Sequence, residues 1–264
     1  MPELAEVEAA RRVWLPLNGR GSLGVWLRGS NRVFREVDEQ RLWRSLETGI
    51  ASSAARGKQL AFRLGDRSWM GIHLGMAGRL ERRSEEVPER NHEMIRLSLG
   101  GENYIFRDTR YFGKVLYSPG EAEPEWWAQI PPDLLSKAFS KSVLHAFLAR
   151  RKRALIKPTL LEQQRFPGVG NWMADEILWR SRIHPARLVG DLSEEEVDTL
   201  HRQIRFVCRG ALAWIAERGE DPPSGTWLFR HRWKDGGRCP RSGVFLVREK
   251  IAGRTACFAP GWQS

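Results

Sequence analysis

Cysteine is scarce: three residues in a chain of 264 cannot all pair with one another. A secreted scaffold held by disulfides is therefore not expected, and a reducing cytoplasm fits better. Long apolar runs are missing too. No stretch approaches the roughly 18 consecutive apolar residues of a membrane span, and Met1 leads into an acidic segment rather than a signal sequence. The expectation is a protein with no membrane partner. Internal repeats and low-complexity tracts are absent. With 41% hydrophobic and 28% charged residues the composition excludes wholesale disorder. The length suits two modest domains, each able to bury a core of its own.

What the chain has in excess is positive charge. Lys and Arg number 43 against 32 Asp and Glu, a net charge of +11. The excess is uneven. Residues 1–130 hold 20 basic and 18 acidic side chains, and residues 131–264 hold 23 and 14, so the bias is +2 in one half and +9 in the other. Residues 228–254 alone carry Arg230, Arg232, Lys234, Arg238, Arg241, Arg248, Lys250 and Arg254 against Asp235 and Glu249. A bias confined to one half points to a polyanionic partner, nucleic acid first.

The hydrophobic pattern divides the chain. Residues 3–14 read as a helix, with Leu4, Val7 and Trp14 at helical spacing, Pro2 at its entry and acids in the first turn. From about 22 to 117 short apolar runs alternate with Gly and polar clusters. Gln59–Leu64, Trp69–Leu74, Met94–Leu99 and Tyr104–Phe106 read as strands of a β-sandwich. A Pro- and Glu-rich stretch at 119–132 reads as a linker. Helical periodicity then dominates over 136–150, 154–164, 171–182 and 193–218, followed by a Gly/Pro/Ser loop at 219–226. The end reads as a β-hairpin, Val244–Ile251 against Arg254–Phe258, turning at Ala252 and Gly253. The expected class is α+β and multidomain: a β-sandwich with an N-terminal helix at 1–118, a linker at 119–132, a helical domain at 133–220 and a terminal hairpin at 221–264.

One feature at the start carries chemistry. Removal of Met1 would leave Pro2 as a free secondary amine at the head of a helix, where the helix dipole disfavours a cation and so favours the neutral, nucleophilic form. Such an amine can attack a sugar carbon or a carbonyl equivalent and form an iminium, the Schiff-base route of covalent catalysis. Glu3 and Glu6 stand beside it as proton carriers. Met-Pro starts and acidic first turns are also common in chains that use them only structurally.

The motif Pro-Glu-Leu-Ala-Glu-Val-Glu at 2–8 resembles the start of the formamidopyrimidine-DNA glycosylase / endonuclease VIII family, with Ala5 where that pattern has proline. Further matches follow in the same order along nearly the whole chain. Arg56-Gly-Lys58 resembles the family's loop with a DNA-backbone lysine. Ile72-His-Leu-Gly-Met-Ala-Gly-Arg79 resembles the loop that supplies a methionine wedge, here Met76. Asp108-Thr-Arg-Tyr-Phe-Gly113 resembles the loop whose arginine reads the base opposite the lesion and whose phenylalanine wedges between bases, here Arg110 and Phe112. Thr109 and Tyr111 depart from its usual residues. Everting a base leaves a hole that apolar side chains fill, and a guanidinium can satisfy the widowed partner.

Ala154-Leu-Ile-Lys157-Pro, Pro167-Gly-Val-Gly-Asn171, Ala174-Asp-Glu176 and Ile183-His-Pro185 together resemble the family's helix-two-turn-helix. The resemblance implies phosphate contacts at Lys157 and Asn171, with Asn171 also placed to cap the following helix, and a supporting role for Glu176 alongside Glu6. Family members usually end in a zinc finger with two Cys-x-x-Cys pairs. The corresponding positions here are Cys239, Ser242, Ala259 and Trp262, with Cys257 out of register. One thiolate cannot make a tetrahedral site, so no zinc is expected and the hairpin becomes a zincless finger. Packing of Val244, Leu246, Phe258 and Trp262 is expected to stand in for the metal. Arg254 falls at the hairpin turn, where the family places a DNA-contacting arginine.

The resemblance thus implies a bifunctional DNA glycosylase and abasic-site lyase of base excision repair. Pro2, Glu3 and Lys58 would be catalytic, and Met76, Arg110, Phe112, Lys157, Asn171 and Arg254 would bind DNA. The implied partner is double-stranded DNA with oxidised bases or abasic sites, with no cofactor, for a monomer of the cytoplasm and nucleoid. Oxidised purines, formamidopyrimidines foremost, are the expected substrates. The segment between the 193–218 helix and Cys239 is short for the loop that caps 8-oxoguanine in some relatives, which places 8-oxoguanine behind the formamidopyrimidines. An endonuclease VIII-like preference for oxidised pyrimidines stays open, as Asp235-Gly-Gly-Arg-Cys239 resembles that branch. So does a non-catalytic damaged-DNA-binding protein on the same scaffold.

Overall fold

The fold is described from a computed structural model, covering residues 1–264 except 30, 87, 89, 90 and 223–225. The chain forms two compact units, Met1–Ile130 and Pro131–Ser264.

In the first unit, helix α1 (Leu4–Val13) leads through a 3-10 turn (Leu15–Leu17) to β1 (Gly24–Leu27). A second 3-10 turn (Arg32–Phe34) precedes α2 (Glu39–Glu47), whose N-cap Asp38 accepts from the Arg41 N–H. Seven strands follow: β2 (Ile50–Arg56), β3 (Gln59–Leu64), β4 (Trp69–His73), β5 (Arg79–Ser84), β6 (Glu93–Leu99), β7 (Glu102–Arg107) and β8 (Lys114–Ser118). They pair antiparallel into two four-stranded sheets ordered β1-β6-β7-β5 and β2-β3-β4-β8. Alternation explains which side chains meet. Leu60, Phe62 and Leu64 of β3 share one buried cluster with Ile95, Leu97, Tyr104 and Phe106 of β6 and β7, which makes the unit a β-sandwich. Val7 and Trp14 enter the same core from the N-terminal segment, and Leu42 and Leu46 enter it from α2. Trp14 packs on Phe62 with ring centroids 5.3 Å apart.

The stretch expected to be a linker at 119–132 behaves differently. Most of it belongs to the first unit, which ends at Ile130. Helix α3 (Glu125–Ala128) lies within it, and Trp127 is only 4% exposed. The physical reason is aromatic. Trp126 lies against Gly71 of β4, where a Cβ would come within 2.8 Å of the indole, and donates to Ser118 Oγ at 3.0 Å. The Arg56 guanidinium lies 4.8 Å from the Trp127 ring centroid.

In the second unit α4 (Lys141–Leu148), α5 (Ile156–Leu160), α6 (Asn171–Ser181) and α7 (Glu194–Ala211) precede a π-helical stretch (Leu212–Glu217), a 3-10 turn (Leu228–Arg230) and the antiparallel pair β9 (Val247–Ile251) and β10 (Arg254–Phe258). Ser193 and Glu196 close a capping box at the head of α7. The loop expected at 219–226 falls in part on residues outside those described. The hairpin turns at Ala252 and Gly253, both with positive φ (47° and 77°), as a two-residue type I′ turn requires. Its first strand begins at Val247 rather than Val244, because residues 244–246 pair back on 237–239 instead: the Cys239 N–H donates to Val244 O and the Leu246 N–H to Gly237 O, both at 2.8 Å. The hairpin does not form a domain of its own either. Cys239, Leu246, Cys257 and Ala259 share a buried cluster with Trp179 of α6 and Leu228.

From Trp172 to Ser181 every residue of α6 is buried, so this helix is the axis of the second unit. Burial extends to its charges. Glu176 accepts from Arg180 Nε at 2.7 Å and from the Phe229 N–H at 3.0 Å, and Arg180 donates onward to Thr226 O at 2.6 Å. Loss of solvent pushes the Glu176 carboxyl up to about 7, against the pull of Arg180 and the 228–229 amides.

Two outcomes are expected. Trp127→Ala should cost about 3 kcal/mol in urea unfolding, as truncation of a buried tryptophan does, whereas a change in a bare linker would be neutral. Glu176 binds its proton more tightly in the folded chain than in the unfolded one. Its contribution to stability is complete below the ordinary glutamate value and declines as pH rises toward about 7. Thermal melts should show wild type losing stability relative to Glu176→Gln as pH goes from 5 to 8.

Candidate functional site

The sequence-predicted residues of the first unit gather on three loops and one helix head. Glu3 is the N-cap of α1 and is 4% exposed, while Pro2 before it is half-buried. Glu3 and Glu6 form a capping box in which the Glu3 N–H donates to Glu6 Oε2 at 3.1 Å. Glu6 thus fixes the backbone of the residue that follows Pro2. Leu4, Ala5 and Val7 anchor the helix beneath it. Ala5 is fully buried, which a small side chain at that position allows.

Lys58 sits at the tip of the β2–β3 hairpin. Gly57 takes φ 60° at the first turn position, as glycine does in a type II′ turn, and Lys58 takes the second. Cross-strand pairing of Gln59 with His73 brings Lys58 near the His73 ring. Burial, with the Lys58 charge adding to it, holds the His73 imidazole below its ordinary value and so neutral at pH 7. Its Nδ1 accepts from the Gly75 N–H at 3.1 Å, which places the ring proton on Nε2.

The Met76 loop and the 108–113 loop meet. Gly75 has φ 62°, and a Cβ there would lie 2.4 Å from the Phe112 carbonyl carbon, so only glycine lets the Met76 loop pack on the 108–113 loop. Met76 and Phe112 are 48% and 45% exposed, unusual for large apolar side chains, and Arg110 is exposed as well. Asp108 organises the second loop from a fully buried position. Its Oδ1 accepts from the Arg110 N–H at 3.1 Å and its Oδ2 from the Gly113 N–H at 2.6 Å. Tyr111 is held in the left-handed region at φ 55° and its hydroxyl lies 3.2 Å from His92 Nδ1. Sequence reasoning missed the organising roles of Asp108 and His73. The Asp-x-Arg spacing of an Asx turn was the available signal for the first.

In the second unit two consecutive turns, at Glu162–Phe166 and Phe166–Val169, join α5 to α6. Gly168 adopts φ 87°, and Gln163 pins the second turn by accepting from the Gly168 N–H at 3.1 Å and donating to Val169 O at 2.8 Å. Gly170 is the N-cap of α6, so Asn171 is not the cap but the first helical residue. Its Nδ2 donates to Thr255 O at 2.9 Å.

Lys157 corrects the expectation most sharply. Rather than facing solvent as a phosphate contact, it is fully buried, with Nζ donating to Asp175 Oδ1 at 2.5 Å and to Thr255 O at 2.7 Å. Asp175 Oδ2 accepts from Arg232 at 2.5 Å and from the Cys257 N–H at 3.1 Å. Burial first of all, and then Arg232, hold the Lys157 ammonium below its ordinary value despite the pull of Asp175. Lys157 and Asn171 therefore converge on one carbonyl of β10, and that carbonyl belongs to the neighbour of Arg254, which is exposed beside the turn.

The four finger positions do not fit zinc. Cys239 Sγ takes hydrogen bonds from Trp179 Nε1 at 3.3 Å and the Ser242 N–H at 3.4 Å. Ala259 offers no donor, and the Trp262 indole donates to Trp179 O at 3.1 Å. Cys257 is buried, and desolvation together with Asp175 pushes its thiol up to about 12, so it stays protonated. Leu246 is in the buried cluster around Trp179 and Trp262 packs against it, whereas Phe258 is buried against His184 and Val244 is 39% exposed and takes no part.

Two known domain types match the chain: the formamidopyrimidine-DNA glycosylase N-terminal domain over residues 1–115 and the formamidopyrimidine-DNA glycosylase H2TH domain over residues 130–218. The formamidopyrimidine-DNA glycosylase of Roseiflexus sp. (strain RS-1) is 33% identical over the whole of both chains. That of Salmonella arizonae is 37% identical, over 96% of this chain and 89% of its own length. Among solved structures, the Lactococcus lactis formamidopyrimidine-DNA glycosylase, non-covalently bound to DNA containing an AP site, superposes with a TM-score of 0.85 at 27% identity over 99% of each chain. The chain belongs to the formamidopyrimidine-DNA glycosylase family and is a DNA glycosylase.

Proposed function

We propose that this chain excises oxidised bases from double-stranded DNA in base excision repair and then cuts the strand at the resulting abasic site, through a Schiff base on Pro2. The observation that carries the reading is Pro2 at the head of α1, beside a Glu3 that is buried and held in a capping box with Glu6. Removal of Met1 is required, because an acylated proline nitrogen has no lone pair to offer. The freed nitrogen attacks C1′ of an everted nucleotide and the glycosidic C–N bond breaks, with the base leaving protonated. Glu3 carries a proton to O4′ as the sugar opens to the iminium. Loss of a C2′ proton then expels the 3′ phosphate by β-elimination, and δ-elimination expels the 5′ phosphate.

The other residues serve this reaction by position. Lys58 and Arg254 meet backbone phosphates. Met76 and Phe112, exposed on loops that pack together, fill the void of the everted base, and Arg110 addresses the base opposite. Asn171 marks the turn before α6, where backbone N–H groups suit a phosphate. Formamidopyrimidines stand first among the substrates, with 8-oxoguanine behind them. The hairpin folds without zinc, since its one aligned thiol is already hydrogen-bonded and its packing is apolar. The same reading puts the protein on the nucleoid in the cytoplasm. Among the described residues no helix is long and apolar enough to cross a membrane.

Borohydride trapping on abasic-site DNA tests the mechanism. The processed protein, its mass lacking Met1, should give a covalent adduct that Pro2→Gly abolishes. A processed wild type that binds the duplex without any adduct would leave a damaged-DNA-binding protein instead. Metal analysis of the purified protein should find well under one zinc per chain, and a chelator should leave its melting temperature unmoved.

A further inference from the structure

Arg32 lies outside the Met76 and 108–113 loops, yet its guanidinium touches three consecutive residues of the 108–113 loop. One terminal nitrogen donates to the Arg110 carbonyl at 2.6 Å, Nε donates to the Tyr111 carbonyl, and the group lies 4.5 Å from the Phe112 ring centroid. The guanidinium of Arg110 lies 4.8 Å from the same centroid, so two cations rest on one ring.

The base from which Arg32 projects is fixed. It opens the 3-10 turn Arg32–Phe34, whose N-cap Asn31 accepts from the Val33 N–H at 2.9 Å. Val33 and Phe34 are buried in the sandwich core at 0% and 2% exposure. Beyond the loop, Lys114 Nζ reaches Glu36 of the same segment at 2.7 Å. The loop itself has reason to need holding. Tyr111 sits at φ 55°, a conformation that a residue other than glycine keeps only where its surroundings over-determine it. Asp108 ties the loop from within through the amides of Arg110 and Gly113. Arg32 ties it from outside through the carbonyls of Arg110 and Tyr111. A planar fork with several donors can meet two adjacent carbonyls and an aromatic face together, which a point-charge ammonium cannot.

We infer that Arg32 is a positioning residue: it clamps the strained Tyr111 backbone and so sets where Arg110 and Phe112 project. This rests on the reading above that Arg110 addresses the base opposite the lesion. If so, removing the clamp degrades discrimination among opposite bases, because misplacing a group by about 1 Å is enough to lose a large part of its effect.

The test follows excision by wild type, Arg32→Ala, Arg32→Lys and Arg110→Ala on duplexes with one formamidopyrimidine opposite each of the four bases. Urea midpoints and the salt dependence of duplex binding are measured on the same proteins. Arg32→Ala should lose about tenfold in opposite-base discrimination, toward the level of Arg110→Ala, and Arg32→Lys should not restore it. The slope of log affinity against log salt should stay at the wild-type value, since no phosphate contact is removed. Should Arg32→Ala not fold, Arg32→Gln keeps one amide donor and should lose part of the discrimination. Wild-type discrimination in the Arg32 variants, with Arg110→Ala defective, overturns the inference. A salt slope reduced by about one also overturns it, because Arg32 would then hold a phosphate itself. Wild-type discrimination in Arg110→Ala overturns the underlying reading of Arg110 instead.

Discussion

One buried carboxylate organises the second unit. Asp175 on α6 accepts from Lys157 of α5, from Arg232 and from the amide of Cys257 on β10. A single side chain thereby joins two helices, the 231–237 segment and the terminal hairpin. Taking three charges out of water costs several kcal/mol per ion, and such a cluster is tolerated only when its geometry and hydrogen bonding are nearly complete. Here Lys157 also has Thr255 O, so the cluster extends to the carbonyl next to Arg254. The consequence for a hairpin with only one aligned thiol is direct. Its placement against α6 rests on backbone groups of its inner strand, the Thr255 carbonyl and the Cys257 N–H, bonded to Lys157, Asn171 and Asp175, together with the apolar cluster around Trp179.

The first unit uses the opposite arrangement. Its core is a plain alternating sandwich, and the unusual backbone is concentrated at the loop tips. Gly57 and Gly75 occupy positions that need positive φ, and Tyr111 occupies one despite its side chain. Two of the three are braced by a specific partner rather than by apolar packing alone: Asp108 and Arg32 hold the 108–113 loop around Tyr111, and His73 holds the Gly75 amide. On the proposed reading, a rigid sandwich with local strain at exposed apolar tips would suit insertion into a stacked duplex, since a floppy Met76 or Phe112 would lose its gain to ordering entropy.

These differences explain what was legible in the residues. Strand β3 occupies Gln59–Leu64, the bounds of the apolar run in the sequence, because Leu60, Phe62 and Leu64 all face one core. Strand β5 escaped notice: Arg79–Ser84 is an edge strand with a single buried leucine, Leu80, and edges carry charge. Helix α2 escaped because its nine residues sit among strands, although Asp38, Leu42 and Leu46 carry a cap and an i,i+4 apolar pair. Motif resemblance placed Met76 and Phe112 on loops that do pack together, yet it could not show that Lys157 is buried. Charge pairing between residues 18 positions apart, as in Lys157 and Asp175, leaves no periodic trace. Arg32 was invisible for the same reason, its acceptors being backbone carbonyls 78 and 79 residues away.

The charge bias needs the same correction from composition to geometry. Of the eight basic residues in 228–254, Arg232 is buried on Asp175, Arg230 donates to Pro222 O and faces Asp221, and Arg248 pairs with Asp235. Arg238 is exposed but donates to Gly243 O and lies over Phe245, and Arg241 lies 5.0 Å from the Trp179 ring centroid. The long-range field that steers a polyanion counts all of these, because exposed ion pairs and cation–π contacts do not cancel the net excess. Direct phosphate contacts, which set the salt dependence of binding, draw on fewer of them. Net charge therefore argues for the partner's sign, while the proposed contact at the exposed Arg254 rests on geometry: Lys157 and Asn171 fix the carbonyl of its neighbour, Thr255. On that reading a buried lysine serves DNA binding by holding the hairpin rather than by touching DNA.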